Sequence, residues 1–167
     1  MTITIATAEC FTHGLIAREI HAHSQGYQGE LRPKFFKDMK TDTQLLCGIF
    51  IPSVSALMSI LNIKPPKPLR LINGVKVYDE QTDRKVSVLM ARGVKELTGA
   101  DVGIGTSAGI GRGGISIMTD KIIITDTSDF YADLSNPNTS EILKRQKSGV
   151  EKTLKILSAV VSLKKNI

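Results

Sequence analysis

Short apolar runs rich in β-branched residues alternate along this chain with longer stretches whose apolar positions recur every three or four residues. The alternation predicts strands interleaved with helices. Residues 3–8 read as a short buried strand. Leu15, Ile16 and Ile20 then fall at near-helical spacing, with Thr12 placed as a cap and Ser24-Gln25-Gly26 as the stop. Residues 27–43 are polar and irregular, a surface loop with one marginal helical turn near Phe35-Phe36; loops of that length are uncommon without a purpose. Residues 45–51 repeat the strand pattern, and Pro52 is placed for the first turn of a helix over residues 53–61.

Pro65-Pro66-Lys67-Pro68 forces an extended spacer, and Asn73-Gly74 between apolar neighbours signals a hairpin over residues 71–77. An amphipathic helix follows over residues 79–98, with Val86, Leu89, Met90, Val94 and Leu97 on one face and Gly99 as its stop. Residues 115–118 and 121–125 read as two strands. The final helix begins near Thr139 or Ser140, is capped by Ser140, and carries Ile142, Leu143, Val150, Leu154, Leu157 and Val161 to about Leu163. This order predicts one α/β domain over residues 1–167, a three-layer sandwich with a mixed sheet.

Composition narrows the function. With 41% hydrophobic residues in 167, the chain can bury one full core. Cys10 and Cys47 are too few for a disulfide framework and fit a reducing cytoplasm. The first residues lack the basic stretch of an export signal and no apolar run approaches bilayer length, so a cytoplasmic protein without a membrane partner is expected. The net charge of +6, from 22 Lys+Arg against 16 Asp+Glu, favours an anionic partner such as a nucleotide. Nucleic acid is not expected, because the few aromatics do not interleave with the basic residues. Lys144-Arg145-Gln146-Lys147 and Lys164-Lys165 read as a solvated helical face.

Two segments carry chemistry. In the first, residues 6–14, Cys10 stands where a strand gives way to a helix, and the unpaired N–H groups and dipole of a helix start favour a thiolate. A free cysteine is more often a small buried hydrophobe. His13, three residues on, is one candidate base; Glu9 is another, or turns inward to hold the helix start. The second segment has six glycines in residues 103–114. Its Gly109, Gly111 and Gly114 formally match G-x-G-x-x-G, but strands rather than a helix follow, which weakens the dinucleotide reading. The stretch reads as an anion or nucleotide cradle, with Arg112 able to donate two hydrogen bonds to phosphate; a Gly-rich structural hairpin is the alternative. Cys10, His13, His21, His23 and Cys47 form no recognised ligand spacing, so no protein-borne metal site is expected.

Residues 6–14, A-T-A-E-C-F-T-H-G, resemble the A-T-A-E-S-C-T-G-G signature of the CinA C-terminal domain, the nicotinamide mononucleotide deamidase fold, with Cys10 in place of the nucleophilic serine. The resemblance continues through residues 48–63 and 99–106, but Pro52 and Leu57 stand where the deamidases carry a tyrosine and a lysine. The fuller pattern, with G-I-G-T-S-A-G-I-G-R-G-G, Y-A-D-L and I-L-K-R-Q-K-S-G, more closely resembles the HcgF family (UPF0254), which takes part in making the iron-guanylylpyridinol (FeGP) cofactor of Fe-hydrogenase in archaea. That resemblance implies that Cys10 accepts the activated carboxyl of guanylylpyridinol as a thioester. The runner-up is a nicotinamide-nucleotide amidohydrolase of the CinA type. No tightly bound cofactor is implied: guanylylpyridinol is substrate, and iron belongs to the eventual product. The enzyme that adenylates guanylylpyridinol is the expected partner, and a homo-oligomer the expected assembly. The catalytic set is Cys10, His13 and Glu9. The expected ligand-binding set is Thr7, Thr12, Gly105, Thr106, Gly109, Gly111, Arg112, Gly113, Thr127, Ser128 and Tyr131.

Overall fold

A computed structural model describes residues 2–31 and 42–164; the helical turn expected near Phe35-Phe36 lies outside them. Five strands, β1 (Ile3–Glu9), β2 (Thr43–Phe50), β5 (Val102–Ser107), β7 (Gly114–Met118) and β8 (Ile123–Asp126), form one sheet in the order β2-β1-β5-β7-β8. β1 is parallel to both its neighbours, whereas β7 is antiparallel to β5 and β8, so the sheet is mixed.

The side-chain alternation of β1 divides the core in two. Ile3 and Ile5 pack with Ile16 and Ile20 of α1 (Leu15–Ser24) and with Val150, Leu154 and Leu157 of α4 (Thr139–Lys164). Ala6, Ala8 and Cys10 point the other way, against Leu57 and Leu61 of α2 (Val54–Leu61) and Val86, Met90 and Val94 of α3 (Glu80–Thr98). Helices therefore cover both faces, which is the three-layer arrangement the sequence predicts.

Between α2 and α3 the chain makes the expected hairpin, β3 (Arg70–Ile72) and β4 (Val75–Val77), around Asn73 at φ 48° and Gly74 at φ 83°. Positive φ at both central residues matches the twist of the flanking strands. A small ladder the sequence did not announce, β6 (Ile110–Gly111) with β9 (Ala132–Asp133), closes the molecule beside the end of β5.

Several boundaries differ from expectation for local reasons. Pro52 lies outside α2, because the Ser53 hydroxyl takes the Ala56 N–H at 3.2 Å and so fixes the cap one residue later. Asn138, not Ser140, caps α4: its side chain accepts the Glu141 N–H at 3.2 Å, leaving Ser140 within the first turn. Leu97 and Leu143 sit at the edges of their apolar stripes and are more than half exposed. Gly103 and Gly105 belong to the central strand β5 and not to a loop.

Candidate functional site

β1 lies between two parallel strands whose crossovers leave in opposite directions: α1, leading to β2, covers one face, and α2 and α3, leading to β5, cover the other. Such a switch point opens a crevice at the carboxyl ends of the strands. Cys10 is the residue that follows β1 there. It is buried, at 5% exposure, and its N–H is held by the Thr106 carbonyl at 3.1 Å and the Thr106 Oγ1 at 3.2 Å.

Glu9, one position earlier, points to the α1 side. Its carboxylate accepts from the Thr7 hydroxyl (3.0 Å), the Thr12 hydroxyl (2.7 Å), the Ile16 N–H (3.2 Å) and the Ala17 N–H (2.8 Å). Burial pushes the Glu9 carboxyl up, and these donors oppose the rise. The helix start is thus held by Glu9 from the preceding strand. Contrary to expectation, Thr12 does not cap α1; Gly14, at φ 81°, is the cap residue without a side-chain bond, and the Thr12 hydroxyl instead bridges Glu9 and Thr106 Oγ1, the latter at 2.9 Å.

His13 precedes the helix and does not share a helical turn with Cys10. Its backbone adopts φ 52°, its N–H donates to the Cys10 carbonyl at 3.2 Å, and its ring lies 5.0 Å from that of Phe50. A non-glycine residue held at positive φ beside a candidate nucleophile is a strained position. Partial burial lowers the imidazole pKa, which keeps it neutral and able to accept a proton at pH 7.

The glycines of residues 103–114 have a packing explanation. A Cβ on Gly103 would lie 2.2 Å from the Ala91 carbonyl oxygen, one on Gly105 2.1 Å from that of Ser87, and one on Gly109 2.5 Å from the Tyr78 nitrogen. α3 and the chain before it press directly on the backbone. The polar groups of the stretch are also engaged. Asp83 accepts the Gly109 N–H and the Ser107 hydroxyl, each at 2.7 Å, and Glu80 accepts from the Arg112 N–H (2.9 Å), Nε (3.2 Å) and Nη2 (2.8 Å). The Ser128 hydroxyl donates to the Arg112 carbonyl at 2.7 Å, the Thr127 N–H to its neighbour Asp126, and Tyr131 is exposed. Gly111 and Gly113 take positive φ, 119° and 78°. The Phe11 ring joins the two segments, packing with Ala108 and Ile115 next to Cys10.

Three buried charged side chains gather here that sequence reasoning did not single out. Arg145 is 2% exposed, which corrects its assignment to a solvated face; its Nη1 donates to the carbonyls of Gly109 (3.1 Å), Gly111 (2.9 Å) and Ala132 (2.8 Å). Burial lowers its pKa, against the opposing pull of Asp83, Cys10, Asp133 and Tyr131. Burial pushes Asp83 up to about 6, against the Gly109 and Ser107 donors and the charges of Lys76 and Arg145. Lys76 donates to the carbonyls of Ile51 (3.5 Å) and Pro52 (3.2 Å). The signal was the period: Asp83 falls three and seven residues before Val86 and Met90, and Arg145 three after Ile142, on the faces those residues bury. Among the described residues no group of three His, Cys, Asp or Glu side chains could hold a metal ion, and no helix is long and apolar enough to cross a membrane.

The family described as "FeGP cofactor biosynthesis protein HcgF" matches residues 2–161. A UPF0254 protein of Methanothermobacter thermautotrophicus (strain Delta H) is 48% identical over 157 residues, covering 94% of this chain and 98% of its own. One from Methanopyrus kandleri is 46% identical, covering 94% and 87%. Among solved structures, a competence or damage-inducible protein from Enterobacter asburiae aligns with a TM-score of 0.59 at 19% identity, covering 95% of this chain and 87% of that one. A CinA-superfamily protein from Enterobacter cloacae aligns with a TM-score of 0.60 at 18% identity, covering 95% and 82%. These two likenesses establish a CinA-like fold.

Proposed function

The chain belongs to the HcgF family of FeGP cofactor biosynthesis proteins, and from that premise we propose that its part in the pathway is to bind guanylylpyridinol and take its activated carboxyl onto Cys10 as a thioester. The observation that carries the proposal is the position of Cys10 at the carboxyl end of β1, at the switch point of the sheet.

The step balances as an acyl transfer. The Cys10 sulfur attacks the carbonyl carbon of an acyl adenylate, a C–S bond forms, and the tetrahedral oxyanion collapses with cleavage of the C–O bond to adenosine monophosphate. The thiol proton passes to His13, whose imidazole is neutral at the working pH. The N–H groups of Phe11 and Thr12, next in the chain, are the proposed oxyanion donors. Glu9, as the anchor of α1, holds that turn in place. Thr12 and Thr106, bonded to each other beside the Cys10 turn, with Thr7 and Gly105 packed behind them, are proposed to support the acyl site, while Gly109, Gly111, Arg112, Gly113, Thr127, Ser128 and Tyr131 are the proposed contacts to the nucleotide.

The adenylate is supplied by a separate adenylating enzyme, and iron enters only in the later product. A homo-oligomer is part of the same reading, supported by Phe50, Met58, Leu69 and Leu71, apolar side chains that are each more than half exposed.

Incubation with adenylated guanylylpyridinol followed by intact-protein mass measurement tests the proposal. The native protein gains one acyl mass on Cys10, released by hydroxylamine. Cys10→Ser gains no such hydroxylamine-labile mass yet still binds guanylylpyridinol. An undiminished labile adduct in the variant would remove Cys10 from the reaction.

A further inference from the structure

The proline-rich spacer between α2 and β3 runs beside α3, and a groove lies between them. A depression of about 730 Å³ is lined by Pro65, Pro66, Val88 and Leu89 and by three lysines, Lys64, Lys67 and Lys85. A second, of about 440 Å³, is lined by Glu80, Gln81, Arg84 and again Lys85, and so adjoins the first along α3. Glu80 there is bonded to Arg112, one of the proposed nucleotide contacts. The walls are fixed before anything binds, which lowers the cost of ordering them. The Tyr78 hydroxyl, on a side chain buried in the same cluster as Cys10, donates to the Pro66 carbonyl at 2.6 Å. A Cβ on Gly93 would lie 3.0 Å from both Ile63 and Leu61, so α3 sits directly on the chain that leads into the spacer.

The groove is cationic without an answering acid. Lys64, Lys67 and Lys85 are exposed, and none of them forms an ion pair among the described residues. Residues 43–78 contain no Asp or Glu. Asp79, on which the Lys85 charge acts, is engaged in capping α3, where it accepts the Thr82 N–H at 2.7 Å. Chemistry narrows the occupant. Pro65, Pro66 and Pro68 have no N–H, so the spacer can neither cradle a free phosphate in backbone donors nor pair with an added strand. A second copy related by two-fold symmetry would set these lysines against themselves. A bilayer surface does not enter a groove. A protein segment whose carboxylates are spaced among apolar side chains matches the cations and the apolar lining together. We propose that the groove docks an acidic segment of the protein that delivers the acyl adenylate, with carboxylates against Lys64, Lys67 and Lys85 and apolar side chains against Pro65, Pro66, Val88 and Leu89. The identity of that partner rests on the thioester reading: a mixed anhydride is hydrolysed in open water, and a complex formed next to Arg112 shortens its path to Cys10.

The test is the affinity of the purified adenylating enzyme for the native chain and its variants, by biolayer interferometry at low and high salt, with melting curves to check folding. Lys64→Glu/Lys67→Glu/Lys85→Glu is expected to weaken binding about tenfold or more and to remove most of its salt dependence. Lys121→Glu/Lys144→Glu/Lys155→Glu makes the same change of net charge at exposed lysines elsewhere and is expected to stay within about twofold of the native chain. If the groove variant melts early, the corresponding triple change to glutamine takes its place under the same criteria. No binding by the native chain, equal binding by the native chain and the groove variant, or an equal loss in the control variant each overturns the inference. So does another occupant, seen as sedimentation with dioleoylphosphatidylglycerol vesicles, or as self-association, that the groove variant alone loses. Acylation of Cys10 by free, purified acyl adenylate needs no docking and is a separate readout. Groove-dependent binding without any adduct in the native protein defeats the thioester reading and leaves the docking site standing; an adduct without groove-dependent binding does the reverse.

Discussion

Asp83 shows how one carboxyl can be both structural and sensitive to pH. It lies on the buried face of α3, binds the Gly109 N–H and the Ser107 hydroxyl, and titrates near 6 because burial outweighs those donors and the two nearby cations. In the unfolded chain the same group titrates near 3.8. The folded state therefore holds the extra proton between these values, and the stability this contributes is complete below about pH 4 and is lost as the pH rises through 6. Glu9, raised in the same direction by burial, adds to the slope. Urea midpoints measured from pH 4 to pH 7 should fall in the native protein more steeply than in Asp83→Asn, whose side chain carries no proton to lose. The difference between the two curves should reach about 2–3 kcal/mol, the order expected for a two-unit shift. Parallel curves would show that Asp83 is ionised throughout and better paired than its burial implies.

At the scale of elements, the seam between α3 and β5 is set by glycines. A Cβ at Gly105 would sit 2.1 Å from the Ser87 carbonyl oxygen and 2.5 Å from the Ala91 nitrogen, backbone atoms that cannot rotate aside. Gly105→Ala must lift α3 off the sheet, and an overpacked contact of this kind costs about 1–3 kcal/mol. The melting temperature should fall by several degrees. Because Asp83 and Glu80 at the start of α3 hold Gly109 and Arg112, the lifted helix should also loosen the proposed nucleotide contacts, so calorimetric affinity for guanylylpyridinol should drop with stability. Lost affinity without lost stability would instead place a ligand against Gly105 itself. This seam also shows where the sequence was legible. Period and caps exposed α3, the Asn73-Gly74 hairpin and the run of β1, because those signals are local. The packing role of Gly103, Gly105 and Gly109 was not legible because the sequence does not show which backbone approaches them from outside, and here α3 and the residues just before it do. Arg145 looked solvated because its neighbours in the chain are basic, although its spacing from Ile142 places it inward. Glu9 was recognisable as a residue able to turn inward, yet its four donors come from β1, the turn after it and α1, and only the folded chain brings them together.

The whole molecule shares its architecture with CinA-superfamily proteins at 18–19% identity, and a shared fold does not fix the chemistry carried at the end of its sheet. The deamidase resemblance requires a tyrosine and a lysine where this chain has Pro52 and Leu57. Leu57 is fully buried among Ala6, Ala8 and Met90 and offers no polar atom. Pro52 contributes only its carbonyl, which accepts the Lys76 ammonium at 3.2 Å. Lys76 is thus near the vacated position, but it arrives from β4 and is fixed to the Ile51 and Pro52 carbonyls, which orients the ammonium toward backbone oxygens. An amide needs its leaving nitrogen protonated, whereas the mixed anhydride of an acyl adenylate expels adenosine monophosphate, a stable phosphate anion, without such help. The lack of a polar side chain at positions 52 and 57 is therefore consistent with the proposed mixed-anhydride substrate, which needs no such proton donor. Nicotinamide mononucleotide should release no ammonia at ordinary turnover, on the order of 1 per second, under conditions where the acyl adduct forms on Cys10. A coupled ammonia assay decides the point: turnover at that rate, abolished by Cys10→Ser and by Lys76→Met, would make Lys76 the missing proton donor and the protein an amidohydrolase.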